Sequence, residues 1–133
     1  MSRKTAREVA LKITFEFSFQ DEEASSLYER FLDSEENANL SEEDEAYVLD
    51  VIQGIQKNLN LIDDKIKAHL KDWNFERISK IDIAILRLAI YEIDYREDIP
   101  SKVSINEAVE LAKSFSEDSS PSFVNGILAE IIK

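Results

Sequence analysis

Three basic side chains, Arg3, Lys4 and Arg7, open the chain and have the best-defined chemistry in it. At about 100° per residue, Ala6, Val9, Ala10, Ile13 and Phe17 take one side of a helix, and Arg3 and Arg7 fall together just beside that stripe. Thr14 and Ser18 continue the flank, with Lys4, Leu11 and Phe15 further round. Cationic groups neutralise phosphates and a flat ring stacks on an unpaired base, so this mixture suits single-stranded RNA. The same three cations also solubilise a helix start, although they oppose its dipole. On composition alone that plainer role is the stronger.

Catalysis has little to work with. His69 is the single histidine and there is no cysteine, which removes thiolate metal sites, cysteine nucleophiles and disulfides together. Gly54 and Gly126 stand alone within helical patterns, so no phosphate-cradling loop exists. Carboxylate pairs lie mostly where water surrounds them and nothing would raise a general acid's pKa. Asp82, Glu92 and Asp94 suit ion pairs with Arg87 or Arg77, or contacts to another protein, better than a catalytic dyad. No enzyme activity, cofactor or metal is expected.

The elements that must position these residues are set by 133 residues of 44% hydrophobic content, enough for one domain with a sizeable core. A formal charge of −12 argues against a nucleic-acid partner only as an average. Residues 20–50 hold twelve acidic side chains and one base, Arg30, and read as a solvated outer face. No apolar run approaches the roughly 20 residues of a membrane span, and the amphipathic start is no signal peptide. A cytoplasmic protein is expected.

Every patterned segment has helical spacing. Ser25 or Ser26 is placed to cap a short second helix with Leu27, Phe31 and Leu32 inward, followed by a loop at Asn37–Leu40. Ser41 with Asp44 opens a helix to about Lys57, and Asn60 with Asp63 repeats the device before Ile66 and Leu70. From Arg77 to about Tyr95 the chain is apolar on two faces, as a helix in the middle of a bundle would be. Ile99-Pro100 ends it. Ser104 with Glu107 then reads as a capping box, and Ser120-Pro121 as a cap with proline at the first helical position. The expected fold is all-α, a compact bundle of about seven helices.

Four segments, RKTAREVAL (Arg3–Leu11), IDIAILRLAIYEI (Ile81–Ile93), DIPSKVSINEAVELAKSF (Asp98–Phe115) and FVNGIL (Phe123–Leu128), resemble the NusB transcription antitermination family in order and spacing over essentially the whole chain. The resemblance implies one domain over 1–133 built of two small helical subdomains, about 1–75 and about 76–133. It implies binding of boxA RNA jointly with the ribosomal protein NusE, in a complex on RNA polymerase that resists termination during ribosomal RNA transcription. By position, Arg3, Lys4 and Arg7 match the family's arginine-rich motif. Phe15 falls where the family's first helix offers an aromatic, and His69 at a position aromatic in some relatives, with Lys71 beside it. Phe123 falls near the family's RNA surface though equally suited to the core; the resemblance implies RNA contact for all four. Glu76 and Asp82 match acids that face NusE, with intramolecular pairing as the alternative. Asn106, Glu107 and Asn125 look structural.

Two departures from the family pattern stand out. Thr5 interrupts the positive run, and SEDSSPS (Ser116–Ser122) lacks the basic character of some relatives, so RNA binding without NusE is expected to be weak. Two other functions fit the same residues: the RNA-binding piece of a ribosomal RNA cytosine methyltransferase, and a protein-binding helical module. Family members occur as monomers and as homodimers, and the sequence favours neither.

Overall fold

The computed structural model describes residues 3–34, 39–71 and 74–133. Seven α-helices account for most of them: α1 Lys4–Glu16, α2 Ala24–Ser34, α3 Glu42–Lys57, α4 Leu59–Ala68, α5 Lys80–Tyr95, α6 Ser101–Phe115 and α7 Ser120–Ile131. A single 3-10 turn, Phe75–Arg77, precedes α5, and no strand occurs among the described residues. The expected loop at 37–40 lies partly outside them.

Helix α5 is the axis of the bundle. It packs against α1, α3, α4, α6 and α7, and its residues from Asp82 to Glu92 are all buried. That explains its two apolar faces, since a helix surrounded by neighbours has no side left for water. One hydrophobic core runs from Ala6 on α1 to Leu128 on α7, so the segments 1–75 and 76–133 share it through α5.

Local signals set several boundaries as expected. The Ser41 side chain accepts from the Asp44 amide at 3.1 Å, and the acidic first turn of α3 complements the helix dipole. Ser79, not singled out from the sequence, caps α5 through the Asp82 amide at 3.2 Å, so this helix starts at Lys80 rather than at Arg77.

Elsewhere a stronger competitor wins. Helix α4 begins at Leu59, because Asn58 directly continues from α3 and its side chain donates to the Gly54 carbonyl; Asn60 and Asp63 are therefore interior. Pro100 starts α6 ahead of Ser104, whose hydroxyl instead reaches Glu92 at 2.7 Å. Helix α7 is entered from Ser119, which frees the Ser120 hydroxyl for Asp82 at 2.9 Å.

Candidate nucleic-acid interface

The three N-terminal cations have three different fates. Arg7, expected on an exposed strip, is only 6% accessible. Its Nε donates to Glu92 Oε2 at 2.8 Å and an amino nitrogen to Oε1 at 3.1 Å, while Glu107 lies 3.8 Å away. Burial works against the Arg7 charge, but the hydrogen bond and charge of Glu92 outweigh it and hold the guanidinium protonated above its ordinary range. Glu92 also accepts from the Tyr47 and Ser104 hydroxyls. Burial, then the neighbouring Glu92 charge, push the Tyr47 phenol far above the usual tyrosine range. Arg7 is thus an interior cation, and its apolar surroundings with a matched acid are the reason. Its former flank is interior too: Leu11 is buried, and Thr14 is fully buried without a hydrogen-bond partner among the described residues.

Arg3 is half-buried. It lies 3.5 Å from Glu43 and 3.9 Å from Asp44, in the first turn of α3, and its guanidinium sits 4.7 Å from the Tyr47 ring centroid. Arg96 and Arg7 approach the same ring at 5.4 and 5.8 Å. Arg96 is in turn held by Asp98 in a bidentate pair and by Asp50 at 3.0 Å. Lys4 alone of the three is exposed, beside Glu8, Glu107 and Glu110.

Phe15 lines a groove of ≈ 520 Å³ between α1, α2 and the start of α5, with Lys12, Arg30, Phe31, Ile81 and Phe115. Its ring meets the exposed Phe19 edge-on, 5.0 Å between centroids. Aromatic faces and two cations therefore share one concavity.

A second groove, of ≈ 740 Å³, gathers His69, Lys71, Asp82 and Phe123, four of the nine expected site residues. Ile81 borders the first groove and Asp82 the second, so the opening turn of α5 is the wall between them. His69 Nδ1 lies 2.9 Å from the Lys65 carbonyl, which can only accept; the proton therefore sits on Nδ1 and the other ring nitrogen is left as an acceptor when the ring is neutral. Lys71 is exposed and approaches Glu130 only to 4.0 Å. Arg77, which sequence reasoning offered merely as an ion-pair partner, lines this groove, is exposed, and has no ion pair among the described residues. Its position just ahead of the α5 cap was the signal available.

The two expected partner-facing acids also separate. Asp82 is 7% accessible and accepts from Ser116 at 2.6 Å and Ser120 at 2.9 Å, so it is a buried junction of α5 with the start of α7 rather than an outward charge. The reason is its place as third residue of α5, aimed at the serine-rich α6–α7 turn. Glu76 is exposed on the 3-10 turn. Arg87 pairs with Asp63, at 2.8 Å to each oxygen, and Asp94 with Lys65. Asn106 and Asn125, expected to make structural hydrogen bonds, are exposed, whereas Glu107 does approach Arg7. Among the described residues no group of three or more His, Asp or Glu is placed to hold a metal ion, and no helix is long and apolar enough to cross a membrane.

The model of the NusB family matches residues 4–133. A transcription antitermination protein NusB from Clostridium novyi (strain NT) is 46% identical over 133 residues, which is 100% of this chain and 99% of the relative. A solved structure of T. maritima NusB superposes with a TM-score of 0.88 at 36% identity, covering 98% of this chain and 90% of the other. A structure of the antitermination factors NusB and NusE in complex with double-stranded RNA is similar in fold, with a TM-score of 0.84 at 22% identity over 97% of this chain and 94% of the other.

Proposed function

The chain belongs to the NusB family, and on that premise we propose that it is a transcription antitermination factor that holds boxA-type single-stranded RNA jointly with NusE. The observation that carries this reading is the meeting of two grooves across one helical turn. One is lined by Phe15, Phe31 and Phe115 with Lys12 and Arg30; the other by His69, Lys71, Arg77 and Phe123. Rings for bases beside cations for phosphates are what unpaired RNA requires.

Assembly, not turnover, is the mechanism. Lys71, Arg77, Lys4 and the outer edge of Arg3 supply the phosphate contacts, and His69 presents an acceptor to a base or ribose hydroxyl. Arg7 and Asp82 act from beneath, Arg7 by holding α1 to the body and Asp82 by holding the α6–α7 turn beside Phe123. Basic NusE docks on exposed acids, Glu76 among them, and brings its own positive surface. The pair then joins the antitermination complex on RNA polymerase during ribosomal RNA synthesis, in the cytoplasm.

With about four phosphates neutralised on a single strand, log affinity should fall with log salt at a slope of about −3. Anisotropy titrations of labelled boxA RNA, with and without NusE, test this. Tight binding that is indifferent to salt and to NusE would overturn it. A duplex of the same sequence, run in parallel, decides whether the site takes single or paired strands.

A further inference from the structure

The chain has two glycines, both inside helices, and their surroundings are opposite. A Cβ on Gly54 would fall into the Tyr91 ring, so packing inside the molecule demands its absence. A Cβ on Gly126 would meet nothing within 4 Å. Gly126 is exposed, in the interior of α7, and without the positive φ for which glycine is chosen. A helix interior is destabilised by glycine relative to alanine. Within the described residues the fold gains nothing in return.

Its position supplies a reason from outside. Phe123, Gly126, Ile127 and Glu130 follow the i, i+3, i+4, i+7 spacing of one helix face, and all four line the second groove. Gly126 is the place on that stripe where a ligand can reach the helix backbone itself. Lys71 and Arg77, the latter without an ion pair among the described residues, line the same groove. We propose that Gly126 is an RNA-contact position: the ribose–phosphate backbone seats against the bare Cα of α7 while Lys71 and Arg77 take its phosphates. This rests on the reading of the second groove as an RNA surface.

The test separates folding from binding. Gly126→Ala and Gly126→Leu are compared with Ala129→Leu, an exposed α7 position outside the groove, and with the Lys71→Ala/Arg77→Ala double variant. Each is measured for Tm, for NusE affinity by calorimetry, and for labelled boxA RNA by anisotropy in the presence of NusE. Gly126→Ala should raise Tm by about 2–4 °C, as expected of a better helix former. It should nevertheless weaken RNA binding, and Gly126→Leu should weaken it about tenfold or more, with NusE affinity unchanged and Ala129→Leu like the parent. If Gly126→Leu binds RNA as the parent does while the double variant loses affinity, the RNA surface stands and the role of Gly126 is refuted. If neither loses affinity, the groove reading itself fails. If Gly126→Leu loses NusE instead, the groove faces protein and the proposal is overturned.

Discussion

Arg7 and Glu92, 85 positions apart in the chain, close a two-point ion pair in the interior, with the acid 1% accessible. Truncating one partner of such a pair strands a charge away from water, which costs about 3–5 kcal/mol. Arg7→Ala is therefore expected to shift the urea midpoint sharply downward, and any loss of RNA binding would follow from unfolding. Arg7→Lys keeps the charge without the fork and should lose less. Arg3→Ala removes a half-buried side chain whose ion pairs are long, should move the midpoint far less than Arg7→Ala, and is the better probe of RNA contact. A midpoint unchanged by Arg7→Ala would contradict the buried pair.

Asp82 and Glu76 make the corresponding contrast on the acidic side. Asp82→Ala leaves the Ser116 and Ser120 hydroxyls without their acceptor and should cost about 1–3 kcal/mol. Asp82→Lys should disturb the α6–α7 turn rather than a partner alone. Glu76→Lys, on the exposed 3-10 turn, should fold normally and weaken NusE binding. Circular dichroism with a NusE titration distinguishes them, and a stable Asp82→Lys variant would speak against the junction.

Gly54→Ala is expected to destabilise, against the usual preference of helices for alanine. The added methyl meets the Tyr91 ring, and overpacking of this kind typically costs about 1–3 kcal/mol. In a Tyr91→Ala background the same change should become neutral or stabilising, so a double-mutant cycle isolates the clash. Purely additive effects would refute it.

Alkaline titration tests the interior hydroxyls. Burial, reinforced by Glu45 for Tyr28 and by Asp50 for Tyr91, raises both phenols to about 12, and Tyr47 is pushed higher still. A folded pKa above the unfolded value of 10.0 stabilises fully below pH 10, and that contribution is lost as pH rises towards 12. Phenolate absorbance should therefore show Tyr28, Tyr47 and Tyr91 silent near pH 10, with stability falling above it. Ordinary ionisation of these three in the folded protein would exclude the contacts.

The bundle was legible because capping and periodicity are local. Ser41 with Asp44, and the two apolar faces of α5, need no knowledge of distant residues. Arg7 and Asp82 were misplaced for the converse reason. Helical spacing put Arg7 at the edge of a stripe but carried no sign that Glu92, Tyr47 and Ser104 would converge there from three other helices. The Ser104–Glu107 pattern was real as a spacing and wrong as a cap, because Pro100 had already begun the helix. Gathering His69, Lys71, Arg77 and Phe123 into one groove likewise depends on α5 and α7 packing together, which no single segment encodes.

The nearness of Arg3 to Glu43 and Asp44 bears on how RNA first arrives. A cation flanked by carboxylates presents a field of alternating sign, which fades with distance much faster than that of a lone charge and is further screened beyond about 8 Å in physiological salt. Arg3 therefore does not steer a polyanion from afar. In the function proposed above, Arg3 holds only a strand already delivered to its surface, and delivery falls to NusE.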